Sequence, residues 1–134
     1  MKEYRIFVIN PGSTSTKLAL FSNEKCCLET CVNHDAPELL KFKSINDQLP
    51  LRMKDIADFI RENHIDLTGL DAIAARGGGC FPLSGGTYRI DEKLAADTRE
   101  AKGGLHHPSN LGVQMAEEIQ KKYGGQMFTV NPPV

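Results

Sequence analysis

The chain has 134 residues, enough for one domain with a real core. Apolar residues make up 40% and charged residues 25%, and the formal charge is −1, so no basic field argues for nucleic acid. No apolar run approaches the roughly 20 residues that span a bilayer, and the polar start Met1-Lys2-Glu3-Tyr4-Arg5 does not read as a signal peptide, which together favour the cytoplasm and no membrane partner.

Tyr4 to Ile9 is an almost continuous apolar run, expected as a strand buried on both faces. Thr16 to Phe21 and Cys26 to Val32 are the next two strands. The short turns between these three predict an antiparallel meander, since parallel pairing needs a crossover. Ala36 to Phe42 is expected as a short helix. Leu51 to Asn63 reads as a longer one, with Pro50 in its first turn and Met53, Ile56, Ala57 and Ile60 as its apolar stripe. Asp71 to Ala75 is a strand, and Thr87 to Ile90 a short extended piece. A helix over Glu92 to Lys102 is expected behind an Asp91 cap, closed by Gly103-Gly104. Pro108 or Ser109 opens another helix carrying Leu111, Met115 and Ile119 on one face; Gly124-Gly125 ends it, and Met127 to Val130 is the last strand. The expected class is α/β: a mixed sheet, antiparallel then parallel, covered by helices, with no repeat or linker.

Cys26, Cys27, Cys31 and Cys80 match no zinc spacing and are expected as reduced thiols in or near a core.

Three segments carry candidate chemistry. The turn Asn10-Pro11-Gly12-Ser13-Thr14-Ser15-Thr16-Lys17 gathers hydroxyls, an amide and a cation around a glycine that lets backbone approach a ligand, which is what a phosphate needs. The same residues also suit a plain polar hairpin. It is no Walker A loop, because the second glycine before the lysine is missing and a strand follows. Arg76-Gly77-Gly78-Gly79 could hold a carboxylate or phosphoryl group in a bidentate arginine pair, or be a surface arginine before a loop. His106-His107-Pro108-Ser109-Asn110 could place a histidine against transferring phosphoryl charge, or be a loop and helix cap.

Taken in order, Asn10 to Lys17, Arg76-Gly77-Gly78, Gly85-Gly86-Thr87-Tyr88, His107 with Ser109 to Gly112, and Val130-Asn131-Pro132 resemble the butyrate kinases of the acetate kinase family. The resemblance covers essentially all 134 residues and implies a ribonuclease-H-like, actin-like ATPase fold with helices on both faces of the sheet. It implies phosphoryl transfer from ATP to a short-chain carboxylate such as butyrate, giving an acyl phosphate, with Mg2+. By position it assigns Asn10 to the metal and Gly12, Ser13, Ser15 and Lys17 to the phosphates. Arg76, Gly77 and Gly78 go to the carboxylate, and His106 or His107 to transition-state charge. Asn131 stands where the family has an aspartate; it keeps the shape but is neutral and no base. Family kinases pair two domains across a cleft, so residues 1–134 are expected as the N-terminal one alone, inactive by itself. Its exposed cleft face is expected to self-associate. A phosphate- or partner-binding module of the same fold is the alternative.

Overall fold

The computed structural model describes residues 3–42, 45–76, 86–89 and 109–131. Strands β1 (Arg5–Pro11), β2 (Ser15–Ser22) and β3 (Lys25–Asn33) form the expected meander, followed by the short helix α1 (Ala36–Leu39) and a 3-10 turn over Ile45–Gln48. Helix α2 (Leu49–Glu62) leads to β4 (Ala72–Arg76), and β5 (Gly86–Arg89), α3 (Ser109–Tyr123) and β6 (Gln126–Asn131) complete the order. The helix expected over 92–102 and Cys80 lie outside the described residues.

Among the described residues six strands form a single sheet in the order β3-β2-β1-β4-β6-β5. β1 pairs antiparallel with β2 and parallel with β4, and β4 pairs parallel with β6, so the antiparallel and parallel halves meet at β1. The register sorts side chains by face. Phe7 and Ile9 of β1 stand level with Leu20 and Leu18 of β2 and with Ile73 and Ala75 of β4. All six are buried, and they form one cluster with Ile56 and Phe59 of α2 and with Leu111, Met115 and Ile119 of α3. Both long helices therefore cover the same face, with the Phe7 and Phe59 rings 6.3 Å apart between layers.

The apolar stripe expected on α3 is the buried one. On α2 the stripe is rotated from the expected position. The buried residues are Arg52, Asp55, Ile56 and Phe59, while Ala57 is exposed and Met53 and Ile60 pack at the margin. The spacing is helical in both cases, but two of the buried places hold charges, which an apolar count does not register.

The cysteines also differ from expectation. Cys26, Cys27 and Cys31 are free, but they are exposed rather than in the core. β3 is the edge strand, and its register sets Cys26, Glu29 and Cys31 opposite Phe21, Ala19 and Lys17, on the face away from the helices. Cys27 falls at the irregularity in the β2–β3 pairing; the core-side place goes to Leu28.

At the other end of α3, Gly124 and Gly125 take φ of +82° and +93°, and the Gly124 N–H donates to the Gln120 carbonyl at 2.8 Å. Gly125 also lies so close to the Leu70 carbonyl that a Cβ would sit 2.9 Å from it, so this turn admits only glycine.

Candidate functional site

The candidate residues collect at one end of the sheet. Asn10 lies opposite Lys17 in the β1–β2 ladder. Ile9 is level with Ala75, which brings Arg76 to the height of Asn10 on the neighbouring strand. Arg76 is in turn level with Val130, with Asn131 one residue further along β6. The sheet thus brings Asn10, Lys17, Arg76 and Asn131 to the carboxyl ends of β1, β4 and β6 and the start of β2. In an open parallel sheet this end, where adjacent strands lead their chains in different directions, is where ligands bind. Helix α3 ends at Gly124-Gly125, directly before the start of β6, and packs against the sheet, so it runs back along β6 with its N-terminus towards that same end. Gly77, Gly78, His106 and His107 lie outside the described residues.

The hairpin tip between β1 and β2 is tightly built. The Gly12 N–H donates to the Ser15 carbonyl at 2.7 Å. A Cβ on Gly12 would meet the Ser15 Oγ at 2.9 Å, so a larger residue there would turn that hydroxyl away. Ser13 and Thr14 are exposed at the tip, Ser15 is half-buried and Lys17 exposed. Thr16 is fully buried, as the strand alternation requires. Asn10 and Lys17 line a shallow groove of about 640 Å3 together with Val8, Ala19 and Phe21, on the face opposite the helices.

Under the tip sits a residue that periodicity and motifs both missed. Arg52 of α2 is completely buried. Its Nη2 donates to the Gly12 carbonyl at 2.9 Å, and its Nη1 to the Thr16 Oγ1 at 3.0 Å and to the Ser15 carbonyl. Gln48, one turn earlier, accepts from Arg52 Nε at 3.2 Å and from Nη2 at 3.0 Å. Burial lowers the Arg52 pKa from its ordinary value, and the charge of nearby Asp55 opposes that shift. Asp55 in turn pairs with His34, Nε2 to Oδ2 at 2.7 Å, with both side chains nearly buried. The His34 backbone N–H donates to the Thr14 carbonyl at 2.8 Å. A sequence signal existed: Arg52, Asp55, Ile56 and Phe59 follow i, i+3, i+4, i+7, which places two charges in an otherwise apolar stripe.

Among the described residues no group of three or more His, Cys, Asp or Glu gathers to hold a metal ion, and no helix is long and apolar enough to cross a membrane.

Known structures share this architecture. An acetate kinase from Porphyromonas gingivalis superimposes with a TM-score of 0.54 at 17% identity, covering 96% of this chain and 37% of that one. An exopolyphosphatase from Cytophaga hutchinsonii gives 0.60 at 9% identity, covering 99% of this chain and 55% of that one. These likenesses define the class: the chain has the actin-like ATPase fold. Its sequence is narrower in kinship. It is 46% identical over 129 residues to a protein of Thermotoga petrophila described as a probable butyrate kinase, a match that covers 96% of this chain and 36% of that protein. The chain resembles an N-terminal segment of the butyrate kinases and spans about a third of the length of that relative. No protein-family profile matches it.

Proposed function

We propose that this chain is the phosphate-binding N-terminal part of a short-chain carboxylate kinase, one that moves a phosphoryl group between ATP and a carboxylate such as butyrate. The observation that carries the reading is the meeting of Asn10, Lys17, Arg76 and Asn131 at one sheet end, in a sequence 46% identical to a probable butyrate kinase. In phosphoryl transfer the protein mainly positions groups and neutralises charge. Ser13, Ser15 and Lys17, on a tip closed by Gly12, would receive the phosphates. Arg76, with Gly77 and Gly78 beside it, would receive the carboxylate or the transferring group, and His106 or His107 would stabilise its charge. Asn131 would face the same centre as a neutral hydrogen-bonding group.

Mg2+ would come with the nucleotide's phosphates. The chain offers that ion neutral oxygens, Asn10 first, and among the described residues no cluster of carboxylates. Such donors fit a metal carried by phosphate and do not build a resident cation site.

Residues 1–134 would act as one domain that catalyses no transfer by itself, since the relative's remaining two thirds would supply the facing groups. Self-association through the strand-end face belongs to the same reading; light scattering that finds only monomer at high concentration would remove it. The neutral Asn131 favours a second reading, a phosphate-binding module without turnover.

Calorimetric titration with inorganic phosphate is expected to show saturable binding that Lys17→Ala weakens tenfold or more without changing the melting temperature. A wild-type chain that binds no phosphate would sink the reading. Hydroxamate trapping is expected to detect no acyl phosphate when the chain alone meets ATP, Mg2+ and butyrate; turnover there would end the claim of inactivity. Adding the rest of the Thermotoga relative in trans separates the two readings, because only a kinase part would then give acyl phosphate.

A further inference from the structure

We infer that Arg52 is a positioning residue that turns the β1–β2 tip into an anion site, an inference resting on the phosphate reading above. A phosphate is repelled by carbonyl oxygens that face it. Three of the four carbonyls of residues 12–15 are bound to protein donors. The Gly12 and Ser15 carbonyls accept from Arg52, Ser15 also accepts from the Gly12 N–H, and the Thr14 carbonyl accepts from the His34 N–H. The Ser13 and Thr14 N–H groups, by contrast, have no protein acceptor among the described residues, and both side chains are exposed. The tip is thus a turn with three of its four carbonyls held by protein donors and two backbone donors left over, as in an anion-binding nest.

Arg52 does most of the holding. One planar guanidinium reaches two carbonyls and the Thr16 hydroxyl, a spread of donors that a lysine ammonium cannot match. Gln48 fixes the guanidinium through two of its nitrogens, so its direction is set before any ligand arrives. It also leaves a positive charge directly under the tip. Burying a guanidinium is costly, and a leucine or methionine here would extend the apolar stripe of α2. The charge is accounted for by what it holds.

The test measures inorganic phosphate affinity by calorimetry, with thermal unfolding alongside, in wild type, Arg52→Met, Arg52→Lys and Arg5→Met. Arg5 also gathers carbonyls, at the opposite end of the sheet, and serves as the control for lost stability alone. Arg52→Met is expected to lose at least tenfold in affinity under conditions where it remains folded, and Arg5→Met to melt earlier but bind as wild type does. Should Arg52→Met fail to fold, Arg52→Lys keeps the charge and is expected to lose threefold or more through geometry alone. A folded Arg52 variant binding within twofold of wild type overturns the positioning role and leaves the phosphate reading standing. A wild type that binds no phosphate overturns both, so the two failures are distinguishable.

Discussion

Two arginines gather carbonyl oxygens at opposite ends of the sheet. Arg5 opens β1; its side chain donates to the Thr68 carbonyl at 3.0 Å and to the Asp66 carbonyl, and its backbone N–H donates to the Asp71 carboxylate at 2.8 Å. These bonds fasten the start of β1 to the turn that enters β4, in contact with water. Arg52 makes the same kind of bonds to Gly12 and Ser15, but completely buried and braced by Gln48. An exposed tie can be dropped at small cost, because water takes over the freed carbonyls. A buried one costs more, since the enclosed Thr16 hydroxyl loses its donor and water reaches the Gly12 and Ser15 carbonyls only in part. The difference is one of place: the buried, braced arginine lies at the end where the candidate ligand residues meet.

The largest expected effect is at the buried end. Arg52→Met should cost about 3 kcal/mol, because the buried Thr16 hydroxyl and Gln48 amide oxygen and the part-buried Gly12 carbonyl lose their donor; urea unfolding would measure it, and a cost equal to that of Arg5→Met would break the comparison. Next comes Asp55→Asn, which removes the charge opposite both His34 and Arg52. It should cost about 1.5 kcal/mol and loosen the Thr14 carbonyl held by the His34 backbone, seen as a modest loss of phosphate affinity in the same titration. Arg5→Met should cost about 1 kcal/mol and leave phosphate binding unchanged.

The smallest effect is acid sensitivity at the Arg5 end. Hydrogen bonds from Thr68, chiefly its hydroxyl and then its backbone N–H at 2.9 Å, hold the Asp66 carboxyl below its ordinary value of 3.8, and the Arg5 charge adds to this. A depressed folded pKa gives stability that is fully present above the ordinary carboxylate value and is lost as pH falls through that value towards the folded one. Asp66→Asn should therefore flatten the acid side of the stability curve, read by urea unfolding at neutral and acid pH. An unchanged curve would remove Asp66 from the tie.

Much of the fold was legible because burial and period agree. Phe7, Ile9, Leu18 and Leu20 are apolar where the strand alternation turns inward, and Leu111, Met115 and Ile119 repeat at helical spacing on a helix buried against the sheet. The α2 stripe was displaced by one residue because Arg52 and Asp55 fill core positions with charge. The cysteines were misplaced because burial statistics for their type ignore that β3 is an edge strand. The hairpin tip could be picked out by composition, since four consecutive hydroxyl residues stand between an Asn-Pro-Gly turn and a lysine. The groups that shape it could not, because Arg52, Gln48 and His34 reach the tip only through tertiary packing. The family resemblance gave Asn10, Arg76 and Asn131 roles but no common place; strand register brings them to one sheet end.

The central claim, that the tip between β1 and β2 is a phosphate site, is most directly tested by mapping backbone amide shifts of the wild-type chain during titration with inorganic phosphate. The account predicts saturable shifts at Ser13 and Thr14, smaller ones at Gly12 and Lys17, and none at Thr68 beside Arg5. Amides of the tip that stay still at saturating phosphate, or that move no more than Thr68 does, would contradict it.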